Sequence, residues 1–297
     1  MLQSFDIVCL CETWGSYHGE FNDFLEGYFH YDSIRPYSNT HVRNSGGVSV
    51  FVGPNVQKLN IVTRIYDYFC DCVVLLVRLS MLSNMNDLIM YFAYVSPEGS
   101  SIYSQRIENN GITGIQSNLE IIVADYSDVS LLLAGDMNAR TKNLPDFIPD
   151  DRLNHIFGNI HYESGSFDSD RKSKDINRAN NFGKSLIQLC CIYDVHILNG
   201  RFPGDVDGEF TCFANEGLSV VDYILISSHL FKNVKDFWVI NDDRSDHFPI
   251  KCSLQIDNSH NTIGNNDQSD IIVNSNLNST FSYRWRDILK HQFLGNL

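Results

Sequence analysis

The chain alternates short apolar runs with polar punctuation, and the runs read as strands. Phe5–Leu10, Gly47–Val52, Cys72–Arg78, Leu88–Val95, Ser130–Ala134, His196–Leu198, Val220–Ile226, Phe237–Ile240 and Pro249–Leu254 are rich in β-branched and aromatic residues. Gly, Asn, Asp and Pro separate them, as turn chemistry requires. Three stretches read as helices. Ser16–Leu25 follows the first strand. Ser104–Ala124 has apolar residues at helical spacing but holds Gly111 and Gly114, which invite a break. Asn180–Ile192 carries a continuous apolar stripe behind the N-cap candidates Asn177 and Asn180. Many strands and few helices predict the α/β (α+β) class, with sheet packed on sheet and helices outside.

The pattern also divides the chain. Residues 1–255 read as one domain. Residues 256–280 are rich in Asn, Ser and Asp, with Ile271-Ile272-Val273 as the apolar exception, and read as a flexible linker. Residues 281–297 regain aromatic and amphipathic character and read as a short C-terminal segment, a helix that docks or the start of a longer protein. The polar stretch Arg140–Asp175 is long for a compact domain and reads as a surface excursion.

Composition narrows the class. Of 297 residues, 43% are hydrophobic and 12% aromatic, enough for a sizeable core and too much for a disordered chain. Lys and Arg number 22 against 36 Asp and Glu, a formal net charge of −14. That balance argues against a general nucleic-acid coat protein, which needs a basic face. It leaves room for carboxylates that hold a cation against phosphate. No apolar run approaches the roughly 18 residues of a membrane span, so no membrane association is expected. The start, Met1–Asp6, lacks the basic flank and apolar core of a signal peptide. The 8 cysteines show no paired zinc spacing and read as small buried hydrophobes of a reducing, intracellular compartment. The glycosylation sequon at Asn278 then reads as chance.

Five clusters carry candidate chemistry, each at or in a predicted strand. Cys11-Glu12-Thr13-Trp14 places a carboxylate at a sheet rim, where a lone Glu is often merely solvated. Tyr94-Val95-Ser96-Pro97 places a hydroxyl that can bond a phosphate oxygen, or simply pack. Gly135-Asp136-Met137-Asn138 presents an acid and an amide two residues apart. They could orient a water, or form an Asx turn that caps the strand. Asp222 sits among Val, Val, Tyr, Ile and Leu, where a carboxylate needs a partner or a metal. Ser245-Asp246-His247-Phe248-Pro249 offers an acid/base candidate, and Asp222 could orient His247 as a dyad. Oxygen ligands with one His suit Mg2+, or Mn2+ as a substitute, better than zinc. Such a cation polarises a phosphoryl oxygen.

The stretches CETW, YVSP, GDMNA, SVVDYILIS and SDHFPI, in this order, resemble the endonuclease/exonuclease/phosphatase superfamily, which includes DNase I and the AP endonucleases. Ile197–Arg201, Gly208–Thr211, Ser219–Ser227 and the tail Tyr283–Trp285 bring it closest to the endonuclease domain of non-LTR (LINE-type) retrotransposons. The resemblance runs from Phe5 to Leu254, more weakly beyond. It implies a DNase I-like four-layer sandwich of two mixed β-sheets with outer helices. It implies Mg2+-dependent hydrolysis of DNA phosphodiesters that leaves a 3′-hydroxyl.

Carried over by residue, Glu12 ligates metal and Asp246 is a second metal or hydrogen-bonding acid. Tyr94 contacts the scissile phosphate. Asp136 orients or deprotonates water, with Asn138 positioning it. Asp222 holds His247, which binds a phosphoryl oxygen or moves a proton. Thr211 and Ser245 support the site. Arg43, Arg140 and Arg201 are the expected DNA contacts, among loop cations that also include Arg35, Arg171, Lys172 and Lys174. The resemblance further implies a leading strand bearing an Asn, then a helix, ahead of Phe5. This chain does not contain them, so an open sheet edge is expected.

The partner would be DNA, with a reverse transcriptase in a parent polyprotein, and the domain would be an intracellular monomer, nuclear if it acts on genomic DNA. Two alternatives stay open. One is a catalytically impaired remnant. The other is a phosphomonoesterase acting on inositol phosphates or lipids.

Overall fold

The computed structural model describes residues 2–35, 45–105, 111–148, 170–214, 217–242, 245–256 and 278–283. Arg43, the middle of the Arg140–Asp175 excursion, most of the expected linker and the end of the C-terminal segment lie outside these residues.

Two six-stranded sheets face each other. In the first sheet the strands are β1 (Ile7–Cys11), β2 (Phe29–Ser33), β3 (Val48–Val52), β12 (Val234–Val239), β13 (Ile250–Gln255) and β14 (Asn278–Tyr283). Their order is β12-β13-β14-β1-β3-β2. In the second sheet they are β4 (Val62–Ile65), β5 (Cys72–Val77), β6 (Leu88–Tyr94), β7 (Ser130–Asp136), β8 (Val195–Ile197) and β11 (Asp222–Ser227). Their order is β4-β5-β6-β7-β11-β8. A two-stranded ribbon, β9 (Cys212–Ala214) with β10 (Gly217–Ser219), stands apart. Both sheets are mixed, since β1 runs parallel to β14 and β6 parallel to β7.

Strand alternation explains the layers. Successive side chains point to opposite faces. In β1, Ile7, Cys9 and Cys11 enter the core between the sheets, while Val8 and Leu10 face outward. In β6, Leu88, Met90, Phe92 and Tyr94 point inward, and Ile89, Tyr91 and Ala93 point to the outer layer. That outer layer holds α2 (Ile112–Asp125) and α3 (Asn181–Tyr193), which bury Ile115, Leu119, Ile122, Leu186 and Leu189 on the second sheet. A four-residue helix, α1 (Pro54–Gln57), precedes β4. Strands buried on both faces read as unbroken apolar runs, which is why the sequence shows them so plainly.

The helices follow the sequence with one exception. The side chain of Asn180 accepts from the Gly183 amide at 2.8 Å and caps α3 as expected. Gly111, at φ 62°, breaks the second helical stretch, so α2 starts at Ile112 after a separate turn at Ser101–Gln105. The expected helix Ser16–Leu25 is instead a chain of turns, with bonds from Glu20 to Tyr17, Asn22 to Gly19 and Phe24 to Phe21. Gly19, at φ 81°, gives its amide to Asp32 at 2.7 Å, which draws the backbone out of helical pairing. So the outer layer on the first sheet is made of turns, closed by Phe21, Phe24 and Tyr28 over Val8 and Phe51.

Two expectations at the C-terminal end are corrected. Residues 278–283, assigned to the linker's end and the start of an amphipathic segment, form an interior strand. Its ladder with β13 and β1 supplies the backbone pairing that an apolar pattern was taken to signal. The open edge expected beside β1 is therefore paired. Cys9, Cys11, Cys72, Cys190, Cys212 and Cys252 are buried thiols, and no disulfide joins the described cysteines. No helix among the described residues is long and apolar enough to cross a membrane.

Candidate active site

Strand register builds the site. Tyr94, the last residue of β6, is paired with Asp136, the last of β7, and Asp136 with Asp222, the first of β11. Three polar side chains thus share one rung of neighbouring strands. By alternation they continue the rows Leu88–Met90–Phe92, Leu132–Ala134 and Ile224–Ile226, which fill the core between the sheets. The site is the polar end of an otherwise apolar sandwich. Gly135 makes the rung possible. It sits at φ 144°, and a Cβ there would stand 1.9 Å from the Ala93 carbonyl oxygen.

Loops deliver the rest. After β1 the chain turns sharply, with Glu12 at φ 51° and Trp14 at φ 56°. The Tyr94 hydroxyl donates to Glu12 Oε1 across the gap between the sheets. After β7, Asn138 takes φ 45°, and its amide reaches Asp136 Oδ1 at 2.9 Å. Its side-chain Nδ2 donates to Asp136 Oδ2 at 3.1 Å and to the Val95 carbonyl at 2.7 Å. The Asx turn is therefore present, and through it Asn138 orients the Asp136 carboxylate. Before β13, His247 reaches Asp222 with Nδ1, 2.9 Å from Oδ2 and 3.0 Å from Oδ1. Ser245 Oγ accepts from the His247 amide at 3.1 Å. Thr211 Oγ1 accepts from the amides of Val221 and Asp222, both at 3.0 Å. Its backbone carbonyl accepts from Phe248 at 2.7 Å. Thr211 and Ser245 thus fix the backbone around the Asp222–His247 pair.

Electrostatics tightens the cluster. One ligand atom from each of Asp136, Asp222 and His247 lies within 4.8 Å of the others. Glu12 and Asp246, the residues expected to hold metal, stand outside that group. Burial, and then the charge of Asp222, push the Asp136 carboxyl well above the usual range. Burial alone would lower the His247 pKa. The charge and hydrogen bond of Asp222 outweigh it, with help from Cys212 and Asp136, and raise it well above 6.5. Burial and the charge of Glu12 push the Tyr94 hydroxyl far up, so it remains a donor. Two buried carboxylates facing one another call for positive charge. The donor set, carboxylate oxygens and one imidazole, fits a hard divalent cation.

Two residues named from the sequence for other reasons also contribute. Arg35 donates Nε to Asp71 Oδ1 at 2.8 Å and Nη2 to Ser96 Oγ at 3.0 Å. Its guanidinium lies 5.5 Å from the centre of the Tyr94 ring, steadying that side chain. Asn180 also ties α3 to the loop after Asp136, accepting from the Arg140 amide at 2.9 Å and donating to the Asn138 carbonyl at 3.1 Å. A helix cap was legible in the sequence. Its second bond, 40 residues away, was not.

The basic residues sort differently from the expectation. Arg140 stands at the rim, its side chain 22% exposed and bonded to Asp175 at 3.2 Å. Arg201 is withdrawn as a DNA contact. Its guanidinium is 1% exposed and forks onto Asp146, with Nη1 at 2.7 Å and Nη2 at 2.6 Å. Arg171 is also buried. Burial would raise the Asp146 carboxyl, but the Arg201 fork holds it well below the usual range. Arg201→Ala strands that buried carboxylate and should cost about 3–5 kcal/mol by denaturant unfolding at neutral pH. A depressed folded pKa means the pair's contribution is full above about pH 4 and is lost as pH falls. The gap between wild type and variant should therefore narrow in acid. A gap that widened in acid would contradict this pairing.

The sequence matches the model of the Endonuclease/Exonuclease/phosphatase family over residues 1–247. A comparison with curated protein sequences found no match. Among solved structures, the 3′–5′ exonuclease NExo of Neisseria meningitidis is similar at a TM-score of 0.51 and 12% identity, covering 84% of this chain and 89% of that one. The catalytic domain of Xenopus laevis APE2 is similar at 0.52 and 17%, covering 84% and 83%. The AP endonuclease LMAP of Leishmania major is similar at 0.53 and 13%, covering 82% and 77%. At these identities the likeness is one of fold.

Proposed function

Since the chain belongs to the endonuclease/exonuclease/phosphatase family, we propose that it is a Mg2+-dependent phosphodiester hydrolase. More specifically, we propose a DNA endonuclease of non-LTR retrotransposon type that leaves a 3′-hydroxyl. The observation that carries this reading is the rung Tyr94–Asp136–Asp222 with His247 locked on Asp222.

In this reading a water oxygen forms a bond to phosphorus, the bond from phosphorus to the 3′ oxygen breaks, and that oxygen takes up a proton. Asp136 orients the water and accepts its proton, held in line by Asn138. Asp222 fixes the imidazole by accepting from Nδ1, so Nε2 faces the phosphate and donates to a phosphoryl oxygen. Tyr94, kept protonated, donates to the phosphate once substrate displaces its bond to Glu12. Glu12 and Asp246 are the proposed metal ligands, alongside the carboxylates of the central cluster. When bound, the cation polarises a phosphoryl oxygen and steadies the leaving oxygen. Arg140 is the proposed DNA contact among the described residues, and Arg43 is proposed from sequence.

The retrotransposon assignment rests on the motifs of Ile197–Arg201 and Gly208–Thr211, and the proposed partner reverse transcriptase on the same likeness. Abasic-site DNA, intact duplex and an inositol phosphate, offered in parallel with Mg2+, would separate the nuclease reading from a phosphomonoesterase. Cleavage of DNA alone is expected.

Cation binding should release protons. With the Asp136 carboxyl raised, the cation competes with a proton for that site. Mg2+ affinity should therefore rise with pH, read as a growing Mg2+-induced rise in Tm. An affinity that does not change with pH would mean that Asp136 does not face the cation.

A further inference from the structure

Strand β14 occupies an interior place in the first sheet although it comes last among the described elements and beyond residue 247, where the family match ends. It pairs antiparallel with β13, Asn278 opposite Gln255 through Ser282 opposite Lys251. On its other side it pairs parallel with β1, Ile7 opposite Phe281 through Cys9 opposite Tyr283. Without it, the sheet falls into two halves that share no ladder: β12–β13, and β1–β3–β2. His247 lies in the first half, on the connection between β12 and β13, and Glu12 immediately follows β1 of the second. Within this sheet, among the described residues, the two halves are joined through β14.

The tether is far longer than the turn requires. Gln255 and Asn278 face each other across the β13–β14 ladder. A hairpin closes with about 2–5 residues. A tether of this length closes its loop at little extra entropic cost. Backbone pairing on both sides would supply the affinity, as in strand addition to an exposed sheet edge.

We propose that residues 278–283 are a docking strand, supplied by the chain's own C-terminal segment to a slot between β1 and β13. Its seating sets Glu12 against His247, so the C-terminal segment is part of the catalytic unit and a point at which activity can be switched. The effect on activity rests on the site reading given above. The docking itself does not.

The test uses the full chain with a protease recognition sequence inserted between Asn265 and Asn266, cut while folded. The piece beginning at Asn266 is expected to stay bound through gel filtration at the size of one chain. Amide exchange should stay slow in Ile7–Cys9 and Lys251–Gln255. In uncut chain, Phe281→Pro removes a backbone donor from the slot and should speed exchange in both segments. Exchange in β6 and β7 should stay slow, which separates undocking from unfolding. A synthetic peptide of residues 275–286 should restore the protection. Cleavage activity should fall about a hundredfold in Phe281→Pro, the scale for a misplaced site, and return with the peptide.

Release of the cut piece with β1 and β13 still protected would overturn the proposal. So would unchanged exchange in Phe281→Pro, or a dimer whose strands come from a second copy. If protection behaves as described while wild-type chain cleaves nothing, the docking stands and the site reading fails.

Discussion

Replacing His247 with alanine lowers phosphodiester cleavage by about a hundredfold or more, the range for losing a positioned proton donor. The geometry states why. The imidazole is held by both oxygens of Asp222, at 2.9 and 3.0 Å, so Nε2 has one direction in which to act. Asp222 raises the His247 pKa well above 6.5, which keeps a proton on the ring at neutral pH. The substitution also has a structural cost. Asp222 is fully buried, and removing the ring takes away its counter-charge. A stability loss of about 1–3 kcal/mol is expected, the cost of a buried polar group left without its partner. Cleavage is therefore compared at a temperature where both proteins are folded. Asp222→Asn with His247→Ala should recover stability without activity. A His247→Ala protein that cleaves at the wild-type rate would remove His247 from the mechanism.

Asp136→Asn should separate function from stability in the opposite sense. Cleavage should fall by about a hundredfold or more, because the amide cannot accept a proton from water. Stability in the absence of cation should rise. The Asp136 carboxyl is buried and faces Asp222, and both raise its pKa. A raised folded pKa means that its burial costs stability above the unfolded pKa, near 3.8, and that stability grows as pH falls toward it. The amide removes that cost and keeps an oxygen for the Asn138 amide. A gain of about 1–4 kcal/mol is in the range seen when buried charges are neutralised. The gain should shrink as Mg2+ is added, since the cation stabilises only the wild-type site. Thermal melts with EDTA and with Mg2+ would check both statements. A destabilised Asp136→Asn protein in EDTA would mean that the carboxylates do not repel as described. Such a site trades stability for chemistry.

The sequence made parts of this legible for a physical reason. Strands buried on both faces leave long apolar runs, so LLLAGD and VVDYILI announced their strands and the acids at their ends. A carboxylate inside such a run, like Asp222, has to have a partner, and His247 is that partner. What stayed hidden is what depends on register between distant strands. That Tyr94, Asp136 and Asp222 share a rung comes from β6–β7 and β7–β11 pairing, which no local pattern encodes.

The ion pair of Arg201 with Asp146 joins residues 55 apart, so a loop arginine read as exposed turned out to be structural. Strand β2 is half exposed and strand β4 short, so neither showed an apolar signal. Asn278–Tyr283 is rich in Ser, Thr and Asn, and the sequence divides it between the linker and the C-terminal segment. Its place is fixed by two neighbouring backbones rather than by apolar pattern.

The central claim is that the cluster of Asp136, Asp222 and His247 hydrolyses phosphodiesters with a divalent cation. The measurement that tests it most directly is nicking of supercoiled plasmid by purified chain, with Mg2+ and with EDTA, and His247→Ala alongside. Nicked circles that form with Mg2+, vanish in EDTA and vanish in the variant are the expected result. Folded wild-type chain that leaves the plasmid supercoiled with Mg2+, or nicks it equally in EDTA, would contradict the claim.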